Sequence, residues 1–407
     1  MPERPGMLVL MGSGETSPTM VEVHRSVARR LGPRPRAVLL DTPYAFQENV
    51  ADISSRARRY FAHSVGLSVE VRAEIGEADW VFSGPGSPTF ALDRWTATPV
   101  AGALRARVRT GGGVTVLASA AACTAGIAAI PVYEIYKVGA APHWRDGLDL
   151  LGPLGIRAVV IPHYDNAEGG THDTRYCYLG ERRLAAMERE LPTGAAVLGI
   201  DEHTAVLFDL RTGAVQVAGR GGLTVRRLDR QTVLPTGTVS SLAELRSLAE
   251  GGDAGSLPAP SPAATPPLPG RMPLGEAVRR CERRFDAALG EHDGAAATRA
   301  VLDLEAEITG WAADTEEDEG GVDQAREALR HLIIRLGRLA DLGDPRDRLV
   351  PLVEPLLALR ARLRQRGGYE VADALRRALA AGGVAVEDTP HGHRWTVRPR
   401  SGTRPAG

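Results

Sequence analysis

The sequence predicts an α/β protein: a doubly wound, mainly parallel sheet followed by a separate, mostly α-helical domain. Three observations predict it. Up to about residue 245, short β-branched or apolar runs alternate with helix-length segments, the pattern of buried parallel strands with helices on both faces. Six prolines then fall within twenty residues, GGDAGSLPAPSPAATPPLPG at 251–270, a composition that cannot bury apolar surface. Beyond it the helical period takes over, with Ala297, Val301, Leu304, Ile308 and Trp311 recurring every three or four residues, as do Leu352, Leu356, Leu359 and Leu363.

In chain order, the strand-like runs are 7–11, 37–41, 80–83, 114–118, 158–161 and 196–200. The run AVLFDLRTGAVQV at 205–217 has a turn at Thr212 and Gly213, which predicts a hairpin at the edge of the sheet. The boundaries follow: an α/β domain at 1–245, a Pro/Ala/Gly-rich linker at 246–272, a helical domain at 273–400 and a tail at 401–407. At 407 residues, two or three domains with sizeable cores are expected.

Composition narrows the function. Lys plus Arg is 49 and Asp plus Glu 50, so a net charge of −1 provides no overall field for steering onto nucleic acid or an anionic membrane. The three cysteines, Cys123, Cys177 and Cys281, are too few and too dispersed for a disulfide framework or a paired-thiol zinc site. The first apolar run, Met7 to Met11, is too short for a leader core or a membrane span. A cytoplasmic protein is the expectation, with no membrane partner and no cofactor; homo-oligomerisation stays open.

In such folds chemistry gathers where strands end and helices begin. The sequence GGGVTVLASAAACTAG at 111–126 reads as turn, buried strand, then Ser119 followed by small helix formers. A serine at this elbow is exposed and backed by a helix, provided that its neighbours are small enough for the turn to close. Ala118, Ala120, Ala121 and Ala122 meet that need. The plainer role for Ser119 is a helix cap.

At these residues the sequence resembles the cyanophycinase and dipeptidase E serine peptidases, which share the class I glutamine amidotransferase-like fold. Leu117-Ala118-Ser119-Ala120-Ala121-Ala122 stands where that family has G-x-S-A-G-A, and LVLMGSGE, FSGPGSPTFAL, IPHY and LGIDEHTAVL match other family segments in order over residues 7 to about 220. The resemblance implies Ser119 as nucleophile, His163 as general base and Glu134 as the acid, with Asp165 or Glu202 as alternatives for the acid. It also implies an oxyanion hole from the amides of Gly86, Ser87 and Ala120, and a small peptide or amino-acid-derived substrate. Both family glycines of the elbow are replaced, by Leu117 and Ala121, side chains that stand where the tight turn or the oxyanion pocket needs room. The alternative from a different class is therefore a catalytically silent binding protein that retains the pocket. A rival metal site would use His163, Asp165, Glu168, His172 and Asp173, five donors in eleven residues that match no fixed spacing.

The end of the chain, residues 356–397, resembles the C-terminal, anticodon-binding end of bacterial cysteinyl-tRNA synthetases. Ala372, Asp373, Leu375, Arg376 and Leu379 carry the helix part, and Val386, Glu387, Asp388, Thr389, Pro390, Gly392 and Trp395 the terminal part. The resemblance implies weak tRNA contact, for which Arg360, Arg362, Arg364, Arg366 and Arg394 offer a local patch. Charge argues for protein docking instead, since residues 271–407 hold 22 arginines against 23 Asp plus Glu. No H-I-G-H-like tetrapeptide occurs, so aminoacylation itself is excluded.

Overall fold

In a computed structural model, the structure describes residues 5–167, 172–228, 230–252, 274–291, 293–311, 321–341, 345–389 and 392–397. Most of the proline-rich linker, Glu168 of the rival metal set, and the tail lie outside the described residues. The chain divides into two compact units, Met1–Val278 with Glu305–Ala325, and Arg279–Leu304 with Arg326–Gly407.

The first unit is mixed α/β. Its strands are β1 (Met7–Met11), β2 (Ala37–Leu39), β3 (Val69–Val71), β4 (Trp80–Ser83), β5 (Val114–Ala118), β6 (Ala128–Ala129), β7 (Arg145–Asp146), β8 (Ala158–Ile161), β9 (Ala196–Ile200), β10 (Thr204–Asp209), β11 (Ala214–Gly219), β12 (Gly222–Arg227), β13 (Arg230–Pro235) and β14 (Val239–Ser241). An eight-stranded sheet runs in the order β14-β11-β10-β1-β5-β4-β2-β3, and a second sheet in the order β13-β12-β9-β8. In the large sheet β1, β5, β4, β2 and β3 are parallel, whereas β10, β11 and β14 are antiparallel.

The expected mainly parallel arrangement holds for five strands of the large sheet, and beside it stand the four-stranded sheet and the two-stranded β6–β7. The short turns between β10 and β11 and between β12 and β13 join antiparallel neighbours, whereas the links from β9 to β10 and from β11 to β12 carry the chain from one sheet to the other. The hairpin at 205–217 forms, with Asp209 accepting the amides of Arg211 and Thr212 to shape its turn. It does not edge the sheet, because β10 pairs with β1 and β14 takes the edge.

Helices α1 (Val21–Ala28), α2 (Val50–Tyr60), α3 (Pro88–Thr96) and α4 (Val100–Thr110) cover both faces of the large sheet. Strand alternation decides which face each residue serves. Leu8, Leu10, Val81 and Leu117 join the core under α3 and α4, while Met7, Val9, Met11, Trp80, Phe82 and Val116 join the core under α1 and α2. Arg107 of α4 ties its helix to the sheet through the carbonyls of Ala78 and Val114 and the Thr115 hydroxyl. Before the linker come also α5 (Ser119–Cys123), α6 (Val132–Tyr136) and α7 (Gly180–Glu188), and α8 (Leu242–Glu250), which starts with a Ser241/Glu244 capping box.

The remaining helices are α9 (Leu274–Gly290), α10 (Gly294–Trp311), α11 (Gly321–Asp341), α12 (Pro345–Gln365) and α13 (Tyr369–Ala381), followed by a hairpin of β15 (Val384–Thr389) and β16 (Gly392–Val397). The expected stripe of α10 is buried throughout, but that of α12 is displaced: Leu352 and Leu359 are exposed, and Val353, Leu357 and Arg360 face inward. Pro351 and Pro355 lie within this helix. Val353 and Leu357 pack with Val384 and Trp395, and the Trp395 indole donates to Glu354 Oε1 at 2.8 Å.

Candidate active site

Strand β5 delivers Ser119 to the C-terminal edge of the parallel strands, and Ser119 starts α5 with φ at 48°, in the left-handed region. That conformation costs an L residue about 1–2 kcal/mol, and persists where surrounding structure fixes it. The backbone here is held by the Ala121 amide, which donates to the carbonyl of Gly84 at the end of β4. Leu117 and Ala121, the residues that replace the elbow glycines, are fully buried and belong to the core under α3 and α4.

His163 follows β8 and also has positive φ, 48°. Its Nε2 lies 2.9 Å from Ser119 Oγ, and its Nδ1 lies 3.0 Å from Glu202 Oε1. A carboxylate can only accept, so Nδ1 carries the proton and Nε2 presents its lone pair to the serine hydroxyl. Asn166, buried, donates its side-chain amide to the same Glu202 Oε1 at 3.0 Å, and the Glu202 backbone amide donates to Asp165 Oδ1 at 2.7 Å.

The electrostatics follow from burial and these bonds. Burial works to raise the Glu202 carboxyl, but the hydrogen bonds from His163 and Asn166 outweigh it and hold it below the ordinary glutamate value. Asp165 is raised by burial, and Asp201 is pushed up to about 6 by burial and then by neighbouring Asp165. Burial lowers the adjacent His203 to about 4. Cys123, one turn beyond Ser119, is pushed up to about 12 by burial, and Cys177 is also raised, so neither thiol is a ready nucleophile.

The structure brings Ser119 and His163 together and puts Glu202 where the resemblance had placed Glu134. Both ring nitrogens of His163 are taken, so Glu134 has none to orient; it sits on α6 with Oε2 buried and without a hydrogen-bond partner. Strand β9 pairs with β8, the strand before His163, so the turn after β9 brings Glu202 to Nδ1. The LGIDEHTAVL match carried the signal for Glu202; Asn166 had none.

Ser87 also departs from its expected role. Its amide donates to the Pro43 carbonyl at 2.8 Å and its hydroxyl caps α3 by accepting from the Phe90 amide at 3.1 Å. Gly86 adopts φ 127°, a conformation suited to glycine, beside Pro43.

The described members of the rival metal set have other contacts. His163 serves Ser119 and Glu202, Asp165 accepts from the Glu202 amide, and Asp173 is engaged by Arg175, whose hydrogen bonds hold it well below the ordinary aspartate value. Among the described residues no cluster of three or more such side chains is placed to hold a metal ion. In the second unit Arg360 is buried and gives a bidentate pair to Asp388 at 2.6 and 2.9 Å, and Arg364 joins the same carboxylate at 2.8 Å. Of the arginine patch, Arg362, Arg366 and Arg394 remain exposed. No helix among the described residues is long and apolar enough to cross a membrane.

No family model matches the chain. A stretch of 47 residues is 53% identical to the cysteine–tRNA ligase of Beutenbergia cavernae and 45% identical to that of Carboxydothermus hydrogenoformans, covering 12% of this chain and 10% of each ligase. The chain thus spans about a tenth of the length of these curated relatives. Among solved structures it is similar to a peptidase from an acI-B1 Actinobacterium, at 20% identity and a TM-score of 0.47 over 58% of this chain and 97% of that one. It is also similar to a candidate peptidase E protein from Listeria monocytogenes EGD-e, at 15% identity and a TM-score of 0.35 over 57% of this chain and 98% of that one.

Proposed function

We propose that the first unit is a serine-dependent amide hydrolase of the dipeptidase E and cyanophycinase type, acting on a small peptide or amino-acid conjugate, with Ser119, His163 and Glu202 as its triad. The observation that carries this reading is the continuous chain of contacts from the serine hydroxyl through His163 to Glu202, built on a serine held with positive φ at a strand-to-helix elbow. Ser119 Oγ attacks the amide carbonyl while His163 Nε2 takes its proton. Glu202 holds the ring and stabilises its cationic form. The negative charge that develops on the carbonyl oxygen is met by the amides of Gly86 and Ala120. His163 then protonates the leaving amine, the C–N bond breaks, and an acyl-enzyme remains on Ser119. Water, deprotonated by His163, attacks this ester and releases the acid, returning the proton to Ser119.

We read the parallel half of the large sheet as the class I glutamine amidotransferase-like core of this unit. The burial of Leu117 and Ala121 in the core under α3 and α4 supports hydrolysis over the silent-pocket alternative. Three free, buried cysteines fit a reducing compartment, and we place the protein in the cytoplasm. For the second unit we propose weak, salt-dependent tRNA contact through Arg362, Arg366 and Arg394.

Amine release from a panel of dipeptides by the full chain tests the hydrolase. Activity in the wild type that is lost in both Ser119→Ala and His163→Ala supports it, and activity that survives Ser119→Ala refutes it.

A further inference from the structure

Resting on the hydrolase reading above, we propose that Tyr178 is the specificity-determining wall of this site, and that the substrate carries an aromatic or other flat unsaturated group beside its scissile amide. Three consecutive non-glycine residues, Tyr176, Cys177 and Tyr178, hold left-handed φ values of 61°, 54° and 63°. L residues visit this region singly and at a cost, and such strain collects at functional sites. The turn is fastened to the histidine's own segment: the Tyr176 amide donates to the Tyr164 carbonyl at 3.0 Å, and the Cys177 amide to the His163 carbonyl at 3.1 Å. The Tyr178 amide donates to the Thr174 carbonyl at 2.9 Å.

The consequence is a division of labour between the two tyrosines. Tyr176 turns inward, 7% exposed, against Tyr164 at 4.6 Å between ring centroids. Tyr178 stays half-buried at the margin of the same core, its ring centroid 6.3 Å from that of His163 and 5.0 Å from that of Tyr136. Tyr136 in turn stacks on the exposed His172 at 6.4 Å and 18°. A row of rings therefore runs outward from the catalytic base.

The chemistry of the row selects the ligand class. Lys137 lies over the Tyr133 ring, and Arg175 and Arg226 over that of Tyr176. Tyr178 and Tyr136 are tilted by 33°, an arrangement that a further ring can extend by offset or edge-on contact. An arene gains from this contact in addition to the area it buries, and an aliphatic chain of similar size gains only the area.

Two phosphonate probes that differ only in the group beside phosphorus, benzyl or isobutyl, test the proposal on the full chain through the rate of Ser119 labelling. The wild type is expected to prefer the benzyl probe by about tenfold, for a ring contact worth about 1.4 kcal/mol. Tyr178→Phe should keep that preference, and Tyr178→Leu should bring the ratio close to one, with thermal melting confirming that each variant is folded. A wild-type ratio near one, or a preference that survives Tyr178→Leu, overturns the aromatic assignment while leaving the hydrolase intact. Failure of both probes to label Ser119 overturns the hydrolase reading, and this one with it.

Discussion

Replacing Glu202 with glutamine isolates the charge of the acid from its shape. In the native site His163 Nδ1 and the Asn166 amide each lie 3.0 Å from Glu202 Oε1. The amide oxygen introduced by Glu202→Gln can still accept from both, so the imidazole keeps its tautomer and its approach to Ser119. What disappears is the negative charge facing a ring that becomes positive as it takes the serine proton. At an effective dielectric of about 20, opposite charges centred about 5 Å apart attract by about 3 kcal/mol. That figure corresponds to a slowing of about two to three powers of ten. The second-order rate constant for labelling by a fluorophosphonate measures it without knowledge of the substrate. Glu134→Gln is the control, expected to fall within about threefold of wild type because Glu134 touches neither ring nitrogen. Wild-type labelling by Glu202→Gln, or a hundredfold loss in Glu134→Gln, would refute the assignment of the acid.

Three further outcomes are expected. Leu117→Ala should cost about 2–5 kcal/mol in denaturant unfolding because it empties a fully buried position, whereas Ala121→Gly should leave the labelling rate within about threefold, since its methyl faces the core. His24 is buried, donates Nε2–H to the Glu15 carbonyl, and is lowered by burial from 6.5 to about 4. It folds neutral, so its contribution is complete above pH 6.5 and is lost as pH falls towards 4, by about 3 kcal/mol in all; the pH dependence of unfolding should flatten in His24→Phe over that window. In fluorescence titration of the full chain with tRNA, alanine at Arg362, Arg366 or Arg394 should each flatten the salt slope by about one unit, whereas Arg360→Ala should lower the melting temperature and leave the slope unchanged.

The parts of the fold legible in the sequence were those that carry their own signal. Strands β1 and β5 are buried along their whole length, so their limits coincide with apolar runs at 7–11 and 114–118. Strand β3, with two of its three residues exposed, and the antiparallel pair β12 and β13 left no comparable run. The runs at 158–161 and 196–200 announce strands but not the sheet they join, because pairing is decided by connections between segments. The same division holds at the site. Small residues around Ser119 mark the elbow locally, and His163 lies in a matched segment, but the acid had to be found among carboxylates that no spacing rule separates. Glu202 is chosen by the path of the turn after β9, and Asn166 becomes visible only once that carboxylate is in place. In α12 the leucine period marked a helix correctly but placed its inner face about one residue away from Val353, Leu357 and Arg360, since the pairing of Arg360 with Asp388 draws an arginine inward.

The most direct test of the triad is the site of covalent capture. The full chain is treated with a fluorophosphonate at neutral pH, and the adduct is located by peptide mass spectrometry. A single adduct on Ser119, absent from His163→Ala under the same conditions, is the predicted result. An unmodified Ser119, or an adduct of equal yield in His163→Ala, would contradict a serine activated through His163 and Glu202.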